Sequence, residues 1–176
     1  PETDQMLFYL PLSGSAFRKV YYDQNLGRAV SKFIPSEDLI VPYSATDLHS
    51  ATRITHVINM PMNDIRKLQQ IGFYKDVDLD SGNMMADETD DIQEGIDELQ
   101  GVKPSYDDDD TCKVHEIHTE LDIEGFEDMN AEGEDTGIKL PYIVTIGNNK
   151  VLSIRRNYKE NDQLKQRINY FVHYKF

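Results

Sequence analysis

The sequence predicts an α+β fold made mainly of antiparallel β hairpins, with one clear amphipathic helix and a peripheral acidic helical insert. Short runs of β-branched and aromatic residues recur along the chain, and several are separated by Gly and Asn turns. A strong helical spacing of apolar residues occurs in residues 63–72. With 176 residues, 39% of them hydrophobic, the chain is long enough for a single domain with its own core.

The first part of the chain predicts a short helix followed by a hairpin. Residues 2–10 place apolar side chains at helical spacing, and Pro11 together with Gly14 is expected to end that helix. Residues 16–23 and 28–34 are rich in β-forming side chains and are joined by a turn that contains Gly27. We therefore expect these two strands to pair with each other.

An edge segment and a third strand are predicted next. Pro35 and Pro42 each lack a backbone donor, so residues 35–42 are expected to be irregular or to lie at a sheet edge. Residues 53–60 are again rich in β-branched residues. They predict a third strand.

The clearest predicted helix spans residues 63–72. Ile65, Leu68 and Ile71 fall on one face of it and form an apolar stripe. Asn63 is placed to cap its start, and Gly72 is placed to end it.

Residues 76–110 are expected to form an acidic flexible insert, with a peripheral helix at residues 89–100. Between Asp76 and Asp135 lie 23 of the 32 acidic residues and two basic ones, so this stretch carries about −21 and the remainder about +7. The four aspartates of residues 107–110 cannot be buried without partners. Such a segment repels phosphate and is not expected to grip DNA.

Residues 111–123 alternate apolar and polar side chains, which predicts a half-buried strand. Ile117 and Leu121 share one face with His115, and we expect that face to contact the core. Glu116 and His118 share the other face. We expect that second face to meet solvent.

The last forty residues are dense in β-forming side chains. Residues 142–146 and 151–154 flank a Gly-Asn-Asn turn, the pattern typical of a hairpin. Residues 170–176 alternate and are aromatic, and the chain stops there without a turn or polar tail. Since the first residue is Pro1 rather than Met, we expect the chain to be a fragment of a longer protein.

The composition narrows the class of protein. Cys112 is the single cysteine, which excludes an intrachain disulfide and a thiolate zinc site. No run approaches the roughly 18 apolar residues of a membrane span, and no signal peptide opens the chain. We expect a soluble, intracellular protein without membrane contact.

One acidic pattern suggests a metal site. Asp76, Asp78 and Asp80 alternate as at the start of a calcium loop. However, Gly82 comes one residue late, and Asp87 stands where a bidentate Glu is needed. A solvated acidic loop is the favoured interpretation.

The histidines give a second, weaker metal pattern. His115 and His118 point to opposite faces if they lie on one strand, so they are not expected to share a metal. We expect one histidine at the core edge and one at the surface.

No catalytic, cofactor-binding or metal-binding residue is predicted, and the chain is not expected to be an enzyme. It has neither a Gly-rich phosphate loop with its lysine nor a nucleophile-elbow sequence. The most basic local patch is expected to form ion pairs with an acidic surface of a neighbouring subunit, with modest phosphate contact as the alternative. It consists of Arg155, Arg156, Lys159, Lys165 and Arg167.

Five stretches resemble the portal proteins of tailed double-stranded DNA bacteriophages, the ring-shaped head-to-tail connectors of podovirus-like particles. The stretches are long and ordered, and they cover the chain in patches outside the acidic middle. They are residues 4–17 (DQMLFYLPLSGSAF), 37–43 (EDLIVPY), 53–58 (RITHVI), 137–144 (GIKLPYIV) and 170–176 (YFVHYKF).

The resemblance implies the wing region of a portal subunit, a structural protein at the portal vertex of the virion that assembles in the bacterial host cytoplasm. It implies a ring, similar to the dodecamers of the family, with contacts to capsid, scaffolding, terminase and tail-adaptor proteins. Double-stranded DNA passes through such a ring during packaging and ejection without sequence-specific contact. The packaging ATPase is a separate terminase subunit, so the resemblance transfers no catalytic residue.

The alternative is a metal-dependent acidic binding domain or hydrolase that uses Asp76, Asp78, Asp80 and the histidines. The sequence that follows Phe176 in the parent gene distinguishes the two hypotheses. A long helix containing Gly and Ala favours the portal, and a second carboxylate and histidine cluster favours the enzyme.

Overall fold

The computed structural model describes residues 2–23, 26–79 and 111–176. In these ranges two helices and two antiparallel sheets confirm the α+β fold. The helices are α1 (Glu2–Ser13) and α2 (Met62–Gln70), and the strands are β1 (Ser15–Asp23), β2 (Arg28–Ile34), β3 (Leu39–Ile40), β4 (Arg53–Pro61), β5 (Thr111–Leu121), β6 (Leu140–Gly147), β7 (Lys150–Arg156) and β8 (Phe171–Lys175). The helix predicted at residues 89–100 lies outside the described ranges, as do most of the predicted insert and residues 80, 82 and 87.

The smaller sheet has three strands in the order β2-β1-β8. β1 and β2 form the predicted hairpin, in a register that runs from Phe17 opposite Ile34 to Asp23 opposite Arg28. β8 pairs with the other edge of β1, so the last strand of the chain lies beside the first.

Helix α1 continues past the predicted Leu10 end to Ser13, so Pro11 lies inside its last turn, and Gly14 follows the helix with φ +71°. A proline there removes only one hydrogen bond near the helix end, which the helix tolerates. The backbone N–H of Gly14 still donates to the Leu10 carbonyl at 2.8 Å. The helix contacts the small sheet through Tyr9, whose ring lies edge-on to that of Phe33 at a centroid distance of 5.5 Å.

The larger sheet has five strands in the order β3-β4-β5-β6-β7. The two-residue β3 lies at its edge, in the proline-flanked segment where an edge was predicted. β6 and β7 form the predicted hairpin, with Asn148 and Asn149 at positive φ angles of 45° and 59°. Those angles match the type I′ turn that suits the twist of paired strands.

Helix α2 begins one residue before the predicted cap. Asn63 is therefore inside the helix, and Pro61 precedes it without a capping side chain. Ile65 is fully buried, whereas Ile71 is 74% exposed, so the apolar stripe is narrower than predicted. Gly72 ends the helix as predicted, with φ +76° and its N–H donating to the Gln69 carbonyl at 3.0 Å.

Two hydrophobic clusters cover one face of the five-stranded sheet. The intersheet cluster lies between the two sheets and contains Phe17, Ile34, Leu39, Leu48, Ala51, Ile54 and Phe171. The helix-side cluster lies under α2 and the segment after it, and contains Met62, Ile65, Tyr74, Leu79, Cys112, Val114 and Leu152. Leu79 belongs to the predicted acidic insert, so the core includes the start of that segment. No helix in the described ranges is long and apolar enough to span a membrane.

Candidate functional site

The buried face of β5 is the opposite of the predicted one. Glu116 and His118 point into the protein, where they are 9% and 2% exposed. His115 and Ile117 lie on the other face and are half-buried. The prediction of a surface histidine at His118 was therefore wrong, because its acidic neighbour finds cationic and hydrogen-bonding partners inside the protein.

A row of polar side chains crosses this buried face. His56, Glu116, Thr145 and Ser153 lie directly opposite one another on β4, β5, β6 and β7. All four are buried. We call them the polar row, and it separates the intersheet cluster from the helix-side cluster. Polar groups buried between two apolar clusters need hydrogen-bond partners.

Glu116 is the charged centre of the polar row. Lys19, which comes from β1 in the other sheet, donates from Nζ to Glu116 Oε1 at 2.6 Å. The His118 Nε2 lies 2.7 Å from the same oxygen. Burial alone favours a higher pKa for the Glu116 carboxyl, but the hydrogen bonds from His118 and Lys19 outweigh it and hold that pKa below its ordinary value. Lys19 and Glu116 therefore link the two sheets as an ion pair.

His118 is held in one tautomer. Burial lowers the pKa of its imidazole, partly opposed by Glu116, so the ring is neutral at neutral pH. Its Nε2–H then donates to Glu116, and its Nδ1 accepts from Asn157 Nδ2 at 3.5 Å. Asn157 is fully buried and also donates to the Ile168 carbonyl at 3.1 Å. Both ring nitrogens are occupied, which suits a structural role better than proton transfer.

Arg167 has a structural role that the sequence did not predict. Its guanidinium donates from Nη1 to the Ala51 carbonyl at 2.7 Å and from Nη2 to the Leu48 carbonyl at 2.9 Å. These bonds tie the segment before β8 to the loop before β4. Because its partners are backbone carbonyls, no residue type in the sequence marks them.

The predicted basic patch is not a single surface. Arg155 and Arg156 are adjacent on β7 and point to opposite faces of the sheet. The Arg155 guanidinium lies over the Phe73 ring at 4.6 Å, whereas Arg156 pairs with Glu160 at 2.7 Å. These two arginines already have partners within the chain.

The other two residues of the patch differ from each other. Lys165 pairs with Asp128. Lys159 is exposed, and the described part of the chain contains no ion-pair partner for it. Of the five predicted contact residues, Lys159 is thus the one best placed to meet another molecule.

An open cavity of about 590 Å³ lies beside Arg167, at the end of β5 and β6. Its charged lining includes Glu120, Asp128, Lys139 and Lys165. Because the lining carries both anionic and cationic groups, the cavity does not favour a ligand of one charge.

The predicted metal patterns are only partly within the described ranges. His115 and His118 point to opposite faces of β5, as expected for one strand. Over residues 2–23, 26–79 and 111–176, no three His, Cys, Asp or Glu side chains are grouped so that they hold a metal ion. The third aspartate of the calcium-like pattern, Asp80, lies outside those ranges.

No protein-family model matches this chain, and no curated protein matches it.

Proposed function

We propose that this chain is the wing region of a bacteriophage portal subunit, a structural module that contributes subunit, capsid and packaging-protein contacts in a ring through which DNA passes. The observation that carries the proposal is where the five resembling stretches lie in the fold. They are far apart in sequence, yet most of their strands are neighbours in space.

The pairing of the strands brings the stretches together. Residues 4–17 form most of α1 and the start of β1, and β1 pairs with β8, which lies in residues 170–176. Residues 37–43 contain β3, which pairs with β4 from residues 53–58. The intersheet cluster draws Phe17, Leu39, Ile54 and Phe171 from four of the five stretches.

The internal bonding also supports a structural role. A module in a ring that encloses DNA must keep its shape while neighbouring subunits exert force on it. The Lys19–Glu116 ion pair and the Arg167 hydrogen bonds join distant parts of the chain. Buried charges of this kind contribute little net stability, but they favour one arrangement of the elements over others.

Helix α1 offers a surface for contacts with other proteins. Leu7, Phe8 and Leu12 are 59%, 77% and 76% exposed. Large apolar side chains grouped on one element are typical of surfaces that become buried in an assembly. In the proposed ring this surface lies against a neighbouring subunit or another virion protein.

The test is the assembly state of the full product of the gene that encodes this chain. We expect the 176-residue chain to sediment as a monomer or weak oligomer at moderate salt, and the full gene product to form a closed ring that electron microscopy shows directly. A full gene product that stays monomeric at high concentration contradicts the proposal.

A matched pair of variants tests the α1 surface in the same experiment. Phe8→Ser is expected to weaken ring formation without lowering the melting temperature of the 176-residue chain. Leu164→Ser is the control, because Leu164 is also 76% exposed but lies in the loop before β8. Equal effects of the two variants on assembly would remove α1 from the interface.

A further inference from the structure

Two hydroxyl groups of the polar row are buried without a hydrogen-bond partner in the described part of the chain. Thr145 is 1% exposed and Ser153 is 6% exposed. Their side-chain oxygens have no partner among the residues that the structure describes, and the same holds for His56 Nδ1. Three of the four members of the row thus have an unsatisfied polar atom. His56 lies on one side of Glu116, and Thr145 and Ser153 lie on the other.

The positions of the two hydroxyls suit a bridging molecule. Thr145 and Ser153 are directly opposite on β6 and β7, and Thr145 is directly opposite Glu116 on β5. Side chains directly opposite in a sheet have Cβ atoms about 4.5–5.5 Å apart. Their hydroxyls do not hydrogen-bond to each other, and a single small molecule that donates and accepts hydrogen bonds is able to bridge side chains at this spacing.

We propose that the polar row binds ordered internal water, with one molecule bridging Thr145 Oγ1 and Ser153 Oγ beside the Glu116 carboxylate. A buried water needs two to four polar partners and a space of about one probe sphere, and this row provides the partners. A cation is a poorer fit, because Lys19 already neutralises Glu116 at 2.6 Å. The inference stands on the row itself and does not depend on the portal assignment.

The sign of one stability change tests the proposal. Thr145→Val keeps the shape of the side chain and removes its hydroxyl. If water bridges the two hydroxyls, the variant deprives that water of a partner, and the melting temperature falls by about 2–8 °C. If the hydroxyls are simply unpaired in a dry core, removing one raises the melting temperature, which overturns the proposal.

A double-mutant cycle with Ser153→Ala tests whether the two hydroxyls share one molecule. We expect the melting temperature of the double variant to fall by less than the sum of the two single decreases. The second substitution then removes a partner from a water that is already bound less tightly. Strictly additive losses contradict a shared water. Thr55→Val is the matched control. Thr55 is buried on the opposite face of the sheet, and its side-chain oxygen is not among the buried oxygens without a partner. The melting temperature of the Thr55→Val variant should change little.

Three further measurements on the folded chain identify the ligand itself. Ordered density within hydrogen-bonding distance of both oxygens in a high-resolution crystal structure, or a water cross-peak to the Thr145 methyl in NMR, supports the site. The absence of both rejects it. Equal melting temperatures in sodium chloride and choline chloride are expected for water, and a sodium-specific increase would assign a cation and overturn the proposal.

Discussion

Glu116 is a buried carboxylate whose partners lie inside the protein. Taking an ionised group out of water is costly, and the cost is recovered only when its partners are close and well oriented. Lys19 and His118 meet that condition at 2.6 Å and 2.7 Å. The stability of the intersheet contact therefore depends on the pair as a unit rather than on either residue alone.

Lys19→Met is expected to destabilise the protein by about 3–5 kcal/mol, because it leaves the buried Glu116 charge uncompensated. Adding Glu116→Gln to the same chain should restore part of that loss. Urea unfolding of the wild type, the single variant and the double variant measures both effects. Lys32→Met, an exposed position on β2, is the control, and an equal effect there would show that the buried pair does not stabilise the fold.

Acid should destabilise the fold, beginning in the pH range in which the buried histidines titrate. Burial, helped by Lys19, lowers the pKa of His56 from 6.5 to about 4. Between those values the unfolded chain binds more protons than the folded one, so stability falls as the pH drops from 6.5 to 4. His118, whose pKa burial also lowers, acts in the same direction.

The expected loss from His56 is about 3 kcal/mol by linkage between the folded and unfolded states. Urea unfolding at pH 7.5, 6, 5 and 4.5 measures it. His56→Gln removes the titrating group and should flatten the part of the profile above pH 5. A wild-type stability that is constant from pH 7.5 to 4.5 contradicts the assignment.

At the level of secondary-structure elements, local sequence patterns predicted the features that depend on neighbouring residues. The hairpins β1–β2 and β6–β7 were predicted because turn residues and β-branched runs are adjacent in sequence. The inward face of β5 was not, since Glu116 is matched by Lys19, which lies 97 residues earlier in the chain. Alternation shows that a strand has two faces, but the distant partner decides which polar face is buried.

The end of α2 gives a prediction about backbone conformation alone. Gly72 has φ +76°, and no atom beyond its own residue and its immediate chain neighbours lies within 4 Å of the position that a Cβ would take, so no packed neighbour blocks a side chain there. Gly72→Ala should therefore cost about 1 kcal/mol through the left-handed backbone conformation. Gly72→Asn should cost less, because Asn tolerates that conformation. Thermal unfolding of both variants measures the difference, and equal losses would contradict the backbone explanation.

For the molecule as a whole, a few polar links join sheets whose apolar surfaces form the bulk of the core. The sequence predicted the basic residues as outward contacts, because charge composition carries no information about which partners lie inside. Arg167 donates to backbone carbonyls, and Lys165 pairs with Asp128. The subunit contact at the basic patch stays a prediction, and Lys159 is its exposed member without an ion-pair partner in the described part of the chain.

The last prediction separates the internal role of Arg167 from a contact role. Arg167→Lys keeps the charge but loses the forked donor geometry, so the 176-residue chain should lose about 1–3 kcal/mol of stability. Lys159→Glu should leave that stability within about 0.5 kcal/mol, and weaken ring assembly of the full gene product at low salt by up to about 1 kcal/mol per contact. That effect should disappear at high salt, where exposed ion pairs are screened. Urea unfolding and sedimentation measure the two effects. If Arg167→Lys instead weakens assembly and leaves the isolated chain as stable as before, Arg167 is a subunit contact, as its place in the basic patch first predicted.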